Sequence, residues 1–463
     1  MLPKNLKYGT KIESSLARSY RTNLQPQNGT GPYNLGDTII LNLSTRNNLV
    51  MVPNESYLKF KVTITSGAAS NAFRWDSAGA HGIIQRIRIF HGSNLISDVD
   101  NYNLLAKMLF DIQVPSDATY GKFNAISGTR GDLSVALPTV SSTFNNSELT
   151  GIKLPVYQAN SGERIGGNNS NVTDSGSSVS ETYCINLISL VGSLCSQSYI
   201  PLFGMTSAPL RVEIQLVDTA NKALAINGTV TSIQLSNVEY VANFIELGDG
   251  AMGMIYDSLQ GQPLQLCFPD YRNYQYSYSL TQNVQTSITF PIPAKFSSLK
   301  AIFVTIRDKG TGATTFFPCS SVTQGISSYQ FRIGSQIMPS KPPSTLQEMF
   351  CEVLKAIGSI SDLHHTPSID KISYQLASSV ANVDSTTNVS SVNSGSFYVG
   401  LDLENYSSAD KSSLFSGYNS NTDDIYFVGD FLNTSNAVTT RFDAFANFDV
   451  VLVCENGTCY VKF

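Results

Sequence analysis

The sequence predicts an all-β chain of two tandem eight-stranded jelly rolls, each with a short inserted helix, and three observations carry that expectation. Charged residues are only 14% of the 463, while Ser, Thr, Asn, Gly, Tyr and Phe are abundant, a balance typical of β-rich proteins with long polar loops. Many segments alternate apolar and polar residues with the period of two that a half-buried strand requires. One order of elements also occurs twice, half a chain apart. The length itself exceeds one ordinary core and suits two domains. The expected division is an N-terminal arm over 1–30, a first roll over 31–250 and a second over 251–463, with a linker at 246–262.

"SYLKFKVTITS" places Leu58, Phe60, Val62 and Ile64 on one side of a strand and Tyr57, Lys59, Lys61 and Thr63 on the other. In the second half "SSLKAIFVTIRDK" repeats the Leu-Lys start and the Val-Thr-Ile finish, with Leu299 standing 241 positions after Leu58. Ile83 to Phe90 then reads as a strand, His91 to Asn94 as a turn, Leu95 to Val99 as a returning strand and Asn103 to Ile112 as a helix. The turn of "IRIFHGSNLI", with Gly92 and Ser93, recurs in "YQFRIGSQIMP", with Gly334 and Ser335. From each glycine the chain runs twelve residues to the apolar start of a helix, at Leu104 and at Leu346.

Thr345 and Glu348 form a capping box for the second helix, whose Leu346, Met349, Phe350, Val353, Leu354 and Ile357 follow i, i+3, i+4 spacing, so one face must be buried. A repeat of half the chain implies domain duplication, because solenoid units span only about 20 to 50 residues.

Further alternating strands fill both halves: Ile39, Leu41 and Leu43; Leu210, Val212, Ile214 and Leu216; Ile288, Phe290 and Ile292; Phe397, Val399, Leu401 and Leu403. Many short strands with long connections and one helix per half fit a jelly roll better than an immunoglobulin-like sandwich. Glu239 to Gln262 ends the first roll's last strand and becomes a short helical or turning linker, with the boundary near Gly250. Two stretches without periodicity, 136–182 and 378–396, read as exposed excursions.

The net charge of -5 exerts no global pull on nucleic acid. A basic N-terminal arm carries Lys4, Lys7, Lys11, Arg18 and Arg21 against the single acid Glu13 and reads equally as a short amphipathic helix around "IESSLARSY" or as a frayed terminus. The N-terminus lacks the apolar run of a signal peptide, and no stretch is long enough to cross a bilayer, so the chain reads as soluble and intracellular. Seven cysteines without metal-site spacing read as reduced thiols. The N-x-[ST] triplets are then expected to stay bare.

His81, His91, His364 and His365 do not converge at metal-site spacing and read as turn or loop residues. "DVD" at Asp98 to Asp100 offers a calcium site between subunits or, more simply, turn and helix capping. Arg86 and Arg88 share a strand face where they meet nucleic acid or, more readily, acids of a neighbouring subunit. Walker, GxSxG and HExxH motifs are absent, which leaves no enzyme signature. Arg130-Gly131-Asp132 is a receptor-type tripeptide that also arises by chance in Gly-rich turns. "VVLVCENGTCYVKF" reads as a hairpin with a type I′ turn at Asn456-Gly457. It sets Val450, Leu452, Cys454, Cys459, Val461 and Phe463 on one face, with Cys454 directly across from Cys459. A disulfide between these two is geometrically open once the protein leaves a reducing cell, although reduced packing is the simpler state.

Trp75, Gly79, "IIQRIRIFHGSNLISDVDNY" and the apolar helix that follows resemble the first roll of double jelly-roll major capsid proteins, and "VEYVANFIEL" with its sequel resembles that family's link between rolls. The family spans adenoviruses, Polinton-like viruses and adintoviruses, virophages and tailless icosahedral phages. The resemblance implies a structural virion protein of a DNA virus, without catalysis, cofactor or metal. Homotrimers would form near-hexagonal blocks that tile an icosahedral capsid around the genome. It also implies penton or minor capsid proteins as partners, a host receptor, and an arm touching genome or inner membrane, with assembly in the host cytoplasm or nucleus. The residues alone leave a competitor: a two-domain β-sandwich that binds glycans or a receptor, as lectin-like and spike proteins do. A polysaccharide-acting sandwich enzyme would need a carboxylate pair in a cleft, and no spacing singles one out.

Overall fold

The computed structural model describes residues 17–66, 71–128, 170–172, 178–192, 199–227, 230–308, 318–358, 360, 367–369, 371–376, 394–405, 416–432 and 438–463. Two antiparallel sheets form the first roll. One orders the strands Ala17–Leu24, Val230–Leu247, Tyr57–Ser66 and Ser178–Ile185; the other orders Thr38–Leu43, Leu210–Leu216, Ile84–His91 and Asn94–Asp100. The second roll repeats this with Leu264–Leu280, Val438–Glu455, Leu299–Asp308 and Tyr398–Asp402 facing Gln285–Ile292, Ile425–Leu432, Ile326–Ile333 and Gln336–Met338. Counted along the chain within each roll, both have the strand orders 1-8-3-6 and 2-7-4-5. That is jelly-roll topology. Short strands add to the margins, among them Thr458–Lys462 beside Val438–Glu455. A separate small sheet joins Asn71–Trp75 to Ser170–Val172 and Leu224–Asn227.

The period-two pattern decides which side of each strand enters the core. Leu58, Phe60, Val62 and Ile64 are buried, and Lys59 and Lys61 on the other side are partly exposed. The equivalent strand Leu299–Asp308 buries Leu299, Ile302, Val304 and Ile306 but also Ala301 and Phe303, because the second roll's helix covers its outer side. The matched turns agree in backbone conformation as well: Gly92 has φ 60° and Gly334 φ 56°, a left-handed geometry that glycine adopts without Cβ strain.

The second roll's helix, Leu346–Ile357, begins as its capping box requires. Thr345 Oγ1 accepts from the Glu348 N–H at 3.2 Å, and the Glu348 carboxylate accepts from the Ser344 N–H at 3.0 Å. Met349, Val353 and Ala356 are its buried side, laid on strand Tyr398–Asp402. Both faces of that strand are therefore covered, and Tyr398 is buried as fully as Val399. Gly400 makes this close approach feasible: a Cβ there would lie 2.8 Å from Val353 Cα.

The first roll's helix, Tyr102–Gln113, differs, because every residue from Tyr102 to Ile112 is buried. An isolated roll would leave one helix face in water; here the second roll covers it. Between the rolls runs a linker helix, Asp249–Leu259, whose first turn contains Gly250 and whose Met252 packs with Val50 and Phe203.

Two expectations are corrected. The helix or frayed terminus expected around "IESSLARSY" is a strand from Ala17 onward, paired residue for residue with Val230–Leu247 from Ala17↔Leu247 to Leu24↔Tyr240. Arg18 and Arg21 thus belong to the first roll's sheet and not to a free arm. Part of the 136–182 excursion is also regular, as Ser170–Val172 and the start of Ser178–Ile185; pairing with Tyr57–Ser66 and Asn71–Trp75 outweighs the polar composition. No helix among the described residues is long and apolar enough to cross a membrane.

Candidate functional site: the junction between the rolls

The first roll's helix interrupts its apolar run with two charges one turn apart, Lys107 and Asp111. Lys107 Nζ lies 2.6 Å from Asp111 Oδ2 and 3.8 Å from Asp76 Oδ1, with the lysine side chain 1% exposed. It also donates to Ser77 Oγ and, across the junction, to Ser396 Oγ. Burial alone would push this ammonium down, but the Asp111 and Asp76 carboxylates hold it above the usual lysine value. Second-roll groups complete the cluster: Tyr398 Oη and Ser396 Oγ donate to Asp111 at 2.7 and 2.8 Å, and the Cys319 N–H donates to Asp76 at 3.1 Å. Burial of two carboxylates and an ammonium is tolerated only with such dense pairing.

The N-terminal end of the same helix is tied down separately. Asn101, in the left-handed region at φ 48°, donates through Nδ2 to Asn273 Oδ1 at 3.0 Å and to Asp443 Oδ1 at 3.2 Å. Asp443 is fully buried and also holds Arg307 at 2.9 Å and Arg441 at 3.2 Å. Alongside, Ser97 Oγ donates to Asp270 at 3.0 Å. Burial pushes the Asp270 carboxyl up to about 7, against its hydrogen bonds to the Tyr271 backbone and Ser97.

The C-terminal hairpin makes a third contact. Asn456 and Gly457 both have positive φ, 53° and 77°, as a type I′ turn requires. Cys454 pairs with Cys459. The Cys459 N–H donates to His91 Nδ1 at 3.2 Å, and its carbonyl accepts from Asn94 Nδ2 at 2.9 Å. His91 Nε2 faces the Met205 carbonyl at 3.3 Å, so Nδ1 accepts and Nε2 carries the hydrogen.

His91 is therefore a buried bridge and not a loose turn residue. His81 is buried too, 2.9 Å from Tyr102 Oη, and burial lowers it to about 3. His364 and His365 lie outside the described residues, as do Lys4, Lys7, Lys11 and the tripeptide Arg130, Gly131 and Asp132. Arg86 and Arg88 find their acids within the chain, which corrects the neighbouring-subunit expectation: Arg86 grips Asp98 through Nε at 2.7 Å and Nη2 at 2.6 Å, and Arg88 meets Glu213 at 2.9 Å. Asp98 is thereby occupied, and Asp100 accepts from the Asn101 N–H at 2.9 Å, a turn-capping bond. No cluster of His, Cys, Asp or Glu suited to a metal occurs among the described residues.

Sequence reasoning overlooked the junction residues Asp76, Lys107, Asp111, Asp270 and Asp443. One signal was available, a Lys and an Asp at i, i+4 inside "YNLLAKMLFDIQ", where an otherwise apolar helix cannot present both to water.

No protein-family model matches the chain, and no curated protein matches it in sequence. Solved structures do. The PBCV-1 protein VP54, fitted into a reconstruction of the virophage Sputnik, matches at TM-score 0.59 and 10% identity over 98% of this chain and 99% of its own. The Sputnik virophage structure itself matches at 0.57 and 10% over 100% and 92%, and the mavirus major capsid protein at 0.54 and 10% over 100% and 95%. The chain has the double jelly-roll fold of viral major capsid proteins. At this identity the double jelly roll persists through strand order and alternation, with few shared side chains. The mavirus neighbour is a major capsid protein.

Proposed function

We propose that the chain is the major capsid protein of an icosahedral virion, and that three copies close into a near-hexagonal block that tiles the shell. The observation that carries this is the end-to-end match of two like rolls, in one strand order, to capsid proteins. Three chains with two similar rolls each present six similar flanks, which suits six-neighbour packing while keeping true threefold symmetry. The junction supports the reading. A tile must hold its two rolls at a fixed angle, and the Lys107, Asp443 and Cys459 contacts fix the first roll's helix and edge to the second roll.

In this reading the protein is a non-enzymatic part of the virion capsid, made in the reducing interior of a host cell and joined there by copies of itself. Negative-stain electron microscopy of the purified protein tests it. Six-lobed, threefold particles that form hexagonal arrays are expected; single two-lobed particles at every concentration would contradict it.

A further inference from the structure

We propose that Cys454 and Cys459 are a redox-controlled staple, reduced during synthesis and joined as a disulfide in the mature protein, that fastens the C-terminal hairpin of the second roll to the first. Part of this rests on the capsid reading, since export in a particle supplies the change from a reducing to an oxidising environment. The local geometry does not depend on it.

The two-residue turn fixes the register, so Glu455 opposes Thr458 and Cys454 opposes Cys459, with Cα atoms 4.3 Å apart. That spacing is typical of a non-hydrogen-bonded antiparallel pair, in which side chains approach most closely. The backbone agrees. The N–H and C=O of Cys459 turn away from Cys454 and bond to His91 and Asn94 of the first roll. Both cysteines are buried, covered by the first-roll segment around Gly204, where even a Cβ would come within 3.3 Å of Cys454 Cβ. Next to them the Ser207 N–H donates to the Gly457 carbonyl at 3.1 Å. The pair thus sits inside the seam between the rolls, at the residue whose backbone bridges it. Cys184, Cys267, Cys319 and Cys351 are free.

Oxidation proceeds by thiol–disulfide exchange with a small disulfide such as oxidised glutathione. One cysteine thiolate attacks the small disulfide and releases a thiol; the second thiolate attacks the mixed disulfide and releases another. The protein loses two protons and two electrons, and the small disulfide is reduced to two thiols. Because both sulfurs are covered, each attack needs the hairpin to lift from the Gly204 segment. Once formed, the bond is shielded from reductant in the same way.

The test uses the purified full chain, equilibrated in oxidised or reduced glutathione, alkylated after denaturation and mapped by mass spectrometry, with hydrogen exchange measured on both forms. The expected result is a single Cys454–Cys459 link in the oxidised sample, and exchange at the Cys459 and Ser207 amides slowed by roughly tenfold or more relative to the reduced sample, since these amides open with the hairpin. The double variant Cys454→Ala, Cys459→Ala should exchange alike in both buffers. Two alkylated thiols in the oxidised chain, or exchange that ignores the buffer, would overturn the staple and leave the capsid reading standing; a linked pair in a chain that never assembles would do the reverse.

Discussion

Lys107 Nζ stands 2.6 Å from Asp111 Oδ2 on the buried helix of the first roll, and Tyr398 of the second roll donates to the same carboxylate. One side chain is thus held by both rolls. Removing the cation leaves Asp111 and Asp76 as two buried carboxylates that keep neutral hydrogen-bond donors but have no compensating positive charge, a loss of about 3–5 kcal/mol. Lys107→Met should therefore lower stability more than Asp111→Asn, which leaves Lys107 beside Asp76 and keeps an oxygen for Tyr398. Urea denaturation of the two variants gives the ranking.

Gly400 faces Val353 Cα at a distance that excludes a methyl group. Gly400→Ala should push the Leu346–Ile357 helix off its strand and cost roughly 1–3 kcal/mol, the range for overpacking a core. A lower thermal midpoint with unchanged first-roll packing, seen as unaltered protection of the Tyr102–Gln113 amides, would locate the damage in the second roll.

Asp270 is buried and its carboxyl is pushed up to about 7, above the unfolded value near 4. Its folded form therefore holds a proton that the unfolded form releases earlier. The stabilisation is complete below about pH 4 and is lost as pH rises through 7, with a slope of about 1.4 kcal/mol per pH unit from this one group. Asp270→Asn should flatten that part of the stability profile, measured by denaturant titrations from pH 4 to 8. An unchanged slope would place the pH dependence elsewhere.

The Arg86–Asp98 and Arg88–Glu213 pairs are partly exposed, with arginine side chains 35% and 34% accessible. Arg88→Ala should accordingly cost no more than about 1 kcal/mol, and less at high salt. A thermal shift assay at two ionic strengths checks both statements.

The double plan was legible because strand alternation and turn chemistry are local. Leu58 and Leu299, and Gly92 and Gly334, occupy equivalent places in the two rolls, and a twelve-residue helix follows the fifth strand of each. The junction was largely illegible, because its bonds join residues as distant in sequence as Asn101 and Asp443 or His91 and Cys459, and no local period marks a long-range polar contact. The arm failed for a related reason. "IESSLARSY" suits an amphipathic helix in isolation, but the unpaired edge of Val230–Leu247 offers Ala17–Leu24 a ladder of backbone bonds that a short exposed helix cannot match.

The central claim is that two locked rolls make one tile and three tiles make a block. Size-exclusion chromatography with light scattering on the purified chain tests it most directly: the account predicts a stable species of three times the 50.2 kDa chain mass, and a protein that stays monomeric at all concentrations would contradict it.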